Sequence, residues 1–162
     1  MTEDTLSNHE IDLQKNKYLV FRLGDQGFAF EIRYVAEIIG LQKITPLPNE
    51  KNSIKGVINL RGRVIPVIDA RLRLGLPERA YDDRTCIVVT QARNMLIGLI
   101  ADAVSEVQTV IPEQIEPPPQ LRKNRRTPFL RGLTKNSEQV TMILDLEALL
   151  FDEEIADLET QP

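Results

Sequence analysis

The 162-residue chain has no tryptophan, one cysteine and one histidine, and aromatic residues make up only 5% of it. Each scarcity closes off a class of protein. The lone Cys86 removes a disulfide scaffold, and in Cys-Ile-Val-Val it reads as a small hydrophobe in a buried strand rather than a nucleophile. His9 lies in a polar, acidic leader, so the body offers no imidazole to serve as a general base. No phosphate-cradling glycine loop and no Cys/His pair at zinc spacing is present, so no cofactor and no metal is expected. No stretch free of charged residues exceeds eight residues, which leaves no candidate for a membrane-spanning helix. The N-terminus lacks the basic and apolar regions of a signal peptide, and a single unpaired cysteine fits a reducing compartment. The expectation is a soluble, cytoplasmic, non-enzymatic protein.

Charge is abundant but unevenly placed. The formal net charge is −4, from 24 acidic and 20 basic residues. Residues 1–12 and 145–162 contain eleven of the acids and no Lys or Arg, so residues 13–144 carry a net of +7. An apolar content of 42% is ample for a core. The reading is an acidic leader over 1–16, expected to be disordered, a folded body over 17–150, and an acidic tail over 151–162.

Most of the body reads as short strands. Residues 18–23 and 28–32 alternate around Gly24-Asp25-Gln26-Gly27, and 86–90 and 95–101 flank a polar turn at 91–94, giving two hairpins. Residues 64–68 are strand-like despite Pro66, which predicts an edge strand or a bulge. Helical period is brief near 69–76 and in the tail, where Leu146, Leu149, Leu150 and Ile155 share a face. Many short strands with frequent turns indicate an all-β barrel or sandwich class.

An internal repeat sharpens this. Val35-Ala36-Glu37-Ile38 follows the first hairpin and Val104-Ser105-Glu106-Val107 follows the second, 69 positions later. Gly56-Val57, Val64 and Asp69 recur as Gly132-Leu133, Val140 and Asp145, 76 positions later. The difference falls in one surface loop, where extra length costs little. Two related subdomains, about 17–80 and 82–150, are expected to share an apolar seam, since units of this size bury too little surface alone. Whether strands cross between them is open at this stage.

The densest stretch is 54–71. It reads as strand, tight turn at 59–62, strand and helix start, with Asp69 as the N-terminal cap and Gly62 at a positive-φ turn position. Arg61 is a long cation at a turn between apolar strands, so it must pair, face solvent or meet a partner. Here the chain resembles the CheW family of chemotaxis coupling proteins. The resemblance runs through Tyr18-Leu19-Val20-Phe21-Arg22-Leu23-Gly24-Asp25, Asn59-Leu60-Arg61-Gly62 and Val64-Ile65-Pro66-Val67-Ile68-Asp69. It continues through Ala101-Asp102-Ala103-Val104-Ser105-Glu106-Val107, Phe129-Leu130-Arg131-Gly132-Leu133 and 142–150. Ala70 stands where the family commonly has leucine, and the tails lie outside the pattern.

The resemblance implies two packed five-stranded SH3-like β-barrel subdomains, with short connecting helices and a short C-terminal helix. It implies an adaptor that binds the regulatory domain of the histidine kinase CheA and the cytoplasmic tip of methyl-accepting receptors, together with other CheW-like domains in array rings. Such a protein touches the inner membrane only through its partners. The receptor surface would include or border Val35, Glu37, Gly56, Val57 and Arg61. Independently of the resemblance, Glu37 and Arg61 flank corresponding turns of the first subdomain and would pair if they lie close. The kinase contacts are placed at Ile44 and Leu47. A kinase or the relative CheV would need a further domain, for which 151–162 leave no room.

Two other readings compete. The basic run Arg122-Lys123-Asn124-Arg125-Arg126 would suit a nucleic-acid-binding barrel, but no aromatic interleaves it to stack on bases. A hydrolase built on Asp82, Asp83 or Asp102 would need carboxylates converging across a substrate, which the spacing does not provide.

Overall fold

The alternation of the opening hairpin becomes β1 (Lys17–Leu23) and β2 (Gln26–Glu31), joined by Gly24-Asp25 in the computed structural model. The structure describes residues 14–48, 53–118, 129–136 and 138–151. The strands that follow are β3 (Val35–Gly40), β4 (Ile54–Leu60), β5 (Arg63–Asp69), β6 (Cys86–Ala92) and β7 (Met95–Ala101). The described chain continues with β8 (Ala103–Thr109), β9 (Leu130–Lys135) and β10 (Val140–Leu144). Two short helices, α1 (Ala70–Arg73) and α2 (Leu146–Phe151), follow β5 and β10.

The strands form two five-stranded sheets, ordered β8-β1-β2-β10-β9 and β3-β6-β7-β5-β4. The sheets do not divide the chain near residue 80. Each takes its central hairpin from one half of the repeat and its other three strands from the other half. β2 lies parallel to β10 in the first sheet, and β7 lies parallel to β5 in the second. Strands thus cross between the halves, and the repeat survives in the identical strand order of the two sheets.

The duplication extends to irregularities. A one-residue bulge falls at Ala36 in β3 and at its repeat partner Ser105 in β8. Another falls at Lys55 in β4 and at Arg131 in β9. Bulges bend and twist a strand and unsettle an exposed edge, and β3, β4, β8 and β9 are the four edges here. Asp69 Oδ1 accepts from the Leu72 amide at 3.3 Å, the expected cap, and its repeat counterpart Asp145 caps α2 in the same way, with Oδ1 accepting from the Ala148 amide at 3.1 Å.

Three apolar clusters follow from strand alternation. Leu19, Phe21 and Leu23 of β1 and Val88 and Ala92 of β6 point into a core shared by the two sheets, joined by Leu146, Leu149 and Leu150 of α2. The intervening Tyr18 and Val20 fill the first barrel with Ile143, while Ile87 and Val89 fill the second with Ile58, Ile65 and Val67. β1 and β6 are therefore buried on both faces, which is why their sequences run apolar almost without interruption. Ile155, expected on the face of α2, lies outside the described residues.

Pro66 corrects half of one expectation: the β4–β5 ladder does carry a bulge close by, at Lys55, but the strand is not an edge. β5 lies between β7 and β4. The proline is tolerated because the parallel ladder with β7 begins only at Val67, so no strand amide is missing from it. On the other side Pro66 opposes Val57, whose amide and carbonyl both turn away to Thr45.

Candidate functional site

β4 and β5 are joined by two residues, Arg61 with φ 51° and Gly62 with φ 86°. Two consecutive left-handed residues are the signature of the type I′ turn, whose twist matches that of the flanking strands. Glycine takes this conformation freely; arginine does not, so the turn needs support. Asn59 supplies it. Its side-chain Oδ1 accepts a hydrogen bond from the Gly62 amide at 2.9 Å.

The turn aims Arg61 at the opposite edge of the same sheet. There the bulge at Ala36 sets the register of Glu37 against Val89. Arg61 Nη1 donates to Glu37 Oε1 at 3.0 Å, and Nη2 donates to Oε2, a two-pronged guanidinium–carboxylate pair. The hydrogen bond from Arg61 holds the Glu37 carboxyl below its ordinary range and raises the guanidinium in turn. The Arg61 side chain is 69% exposed and that of Glu37 32%, so the pair adds little to folding stability but fixes the direction of both groups.

Backbone closes the same gap. Val57 N donates to Thr45 O at 2.9 Å and Thr45 N donates to Val57 O at 2.8 Å, laying the segment after β3 along the free edge of β4. Gly56, buried with φ 147°, permits this. A Cβ there would collide with the Thr45 carbonyl and come within 2.9 Å of Pro46 Cα. Gly132 plays the same part in the other sheet, where a Cβ would lie 2.6 Å from Glu116 O, beside the bridge of Glu116 to Leu133.

The structure thus brings Glu37 and Arg61 together and places Gly56 and Val57 on the strand that leads to them. Gly56 presents no side chain and is buried, so its contribution is to closure. Val35 is half-buried against the shared core, two residues before Glu37. Ile44 packs into the second barrel, while Leu47 is 39% exposed. Sequence reasoning passed over Val64, which is 71% exposed on β5 opposite Asn59. It also gave no role to Asn59 or Thr45. The Asn-x-x-Gly spacing was the available signal for Asn59.

Two of the three carboxylates weighed for hydrolysis, Asp102 and Asp82, are held in local structural networks. Asp102 accepts from Arg71 Nη2 at 2.6 Å, Arg79 Nη1 at 3.0 Å and the Gly24 amide at 2.7 Å. Burial would raise its pKa, but the Arg71 hydrogen bond, the Gly24 amide and the two guanidinium charges outweigh that and lower it. Asp82 caps its own turn by accepting from the Arg84 amide at 2.8 Å, and its pKa is also lowered, chiefly by that bond. Both stay ionised, unlike a general acid poised near neutrality. Among the described residues no three His, Cys, Asp or Glu gather as metal ligands, and the basic run at 122–126 lies outside them.

A model of the CheW-like domain matches residues 17–154. The chain belongs to the CheW-like domain family. The chemotaxis protein CheW of Klebsiella aerogenes is 35% identical over 140 residues, 86% of this chain and 84% of that protein. A probable chemotaxis protein CheW of Rhizobium etli is 38% identical over 136 residues, 84% of this chain and 88% of that one. Among solved structures, the scaffolding protein TtCheW from Thermoanaerobacter tengcongensis superposes with a TM-score of 0.74 at 34% identity, covering 83% of this chain and 86% of that one. The two five-stranded SH3-like barrels are thus the CheW-like fold, and the Glu37–Arg61 pair lies on the edges of one of them.

Proposed function

We propose that this CheW-like chain couples methyl-accepting chemoreceptors to the histidine kinase CheA as a non-enzymatic scaffold. Family membership makes it a chemotaxis scaffold; the partners are what the reading adds. The observation that carries it is the Glu37–Arg61 pair, an oriented and exposed charge pair on a barrel rim that contributes little to folding. Fixed polar groups on a surface favour specificity over raw affinity. The receptor tip binds at this rim, alongside Val35 and Val57, with Gly56 shaping it. The regulatory domain of CheA docks elsewhere, at the segment that carries the exposed Leu47 and the half-buried Ile44. Other CheW-like domains complete the array ring. The chain acts in the cytoplasm and reaches the inner membrane only through its receptors. No observation favours the nucleic-acid reading.

Capture from native cytoplasm tests this directly. The wild-type chain recovers a large histidine kinase and a receptor, and Arg61→Glu loses the receptor while keeping its far-ultraviolet dichroism and the kinase. An unchanged receptor yield with the variant would overturn the assignment of this rim.

A further inference from the structure

Arg61 is held at both ends. Its guanidinium is gripped by Glu37, and its backbone is held left-handed in a turn whose next amide, Gly62 N–H, bonds to the Asn59 side chain. A guanidinium carries five N–H donors, and here Nη1 and Nη2 each direct one at Glu37. The remaining donors, Nε–H among them, face away from the carboxylate. Asn59 is itself exposed and opposes Val64, the most exposed large apolar side chain among the described residues.

We propose that Asn59 is a positioning residue for partner recognition. Its bond to Gly62 holds Arg61 in the left-handed conformation, so that one edge of the guanidinium meets Glu37 and the rest is offered to an acceptor on the partner. Without the bond the turn relaxes, Arg61 samples other directions, and its free donors reach the partner only part of the time. The acceptor is a neutral one, a backbone carbonyl or a side-chain amide, because Glu37 beside it repels a carboxylate. This rests on the reading of the rim as the receptor surface.

The test is a double-mutant cycle on binding of the whole chain to a purified receptor signalling fragment, with thermal midpoints measured in parallel. Arg61→Ala is expected to weaken binding by about tenfold, and Asn59→Ala alone by about threefold to tenfold. In the Arg61→Ala background, Asn59→Ala should change binding no further, because it acts only through Arg61. Asn59→Asp keeps the acceptor for the Gly62 amide and should restore near wild-type binding. If Arg61→Ala has no effect, the receptor reading falls and this proposal with it. If Arg61→Ala weakens binding but Asn59→Ala does not, or weakens it equally in both backgrounds, only the positioning role falls. A purely structural role would lower the thermal midpoint in both backgrounds without the rescue of binding.

Discussion

The two sheets are built alike and finished differently. Each has a bulged edge strand carrying a glutamate, Glu37 on β3 and Glu106 on β8, at matching places in the repeat. Each has a glycine that lets a neighbouring segment press on the opposite edge, at Gly56 and Gly132. Only one glutamate is clasped. Counting forward from Arg61 by the repeat offset reaches Ser137, so the second half has no arginine in its sequence there, and Glu106 has no ion-pair partner among the described residues. Closure by backbone is common to both barrels and serves the fold. The Glu37–Arg61 pair is private to one and contributes little to stability, so it is free to serve recognition; the other barrel has a single-point pair at its closure instead, Lys135 Nζ 3.2 Å from Glu116 Oε1.

The largest effect should erase the difference between the halves. Phe21 is fully buried in the shared core, stacked on Phe28 with ring centroids 5.8 Å apart. Phe21→Ala removes packing from both sheets at once and should cost about 3–5 kcal/mol. Urea denaturation should show one transition moved to lower concentration. Two separate transitions, with the second sheet unmoved, would show barrels that fold independently.

Next come the two glycines. Gly56→Ala and Gly132→Ala each force apart a backbone pair and should each cost roughly 1–3 kcal/mol by thermal melting. Their stability losses should be comparable, yet only Gly56→Ala should also weaken receptor capture, since Gly132 closes the barrel that lacks the clasp. Equal losses of capture would dissolve the comparison into general destabilisation.

The comparison also marks how far residues alone could lead. The hairpins, the Asp69 cap and the left-handed Gly62 were legible because each depends on neighbours within a few positions, and the repeat because matching residues recur at the fixed offsets of 69 and 76. The exchange of hairpins was not, because β2 pairs with β10 and β5 with β7 across long intervals that leave no periodicity in either partner. The same reason hid the partial burial of Ile44, which packs against the apolar cluster of the second barrel. The pairing of Glu37 with Arg61 was anticipated, but its two-pronged geometry follows from a bulge and a turn type that only backbone coordinates reveal.

A smaller effect belongs to Asp102, whose folded pKa is lowered by Arg71, Gly24 and Arg79 against the opposing influence of burial. A lowered carboxyl pKa stabilises the folded state above its ordinary value of 3.8 and loses that contribution as pH falls through the folded value. Stability measured from pH 6 down should therefore decline more steeply for wild type than for Asp102→Asn, with the two curves converging in the acid range below pH 4 or so. Parallel curves would mean that the cluster adds nothing to the native state.

The smallest effects on stability test the private pair itself. Arg61→Ala and Glu106→Gln both alter exposed side chains, and neither should move the denaturation midpoint beyond error. The clasp variant should nevertheless bind the receptor fragment about tenfold more weakly, while Glu106→Gln binds like wild type. Stability and recognition would then separate within one pair of repeat-related positions. If Glu106→Gln weakened binding as much as Arg61→Ala, recognition would span both edges, and the unclasped glutamate would itself be awaiting a cation from the partner.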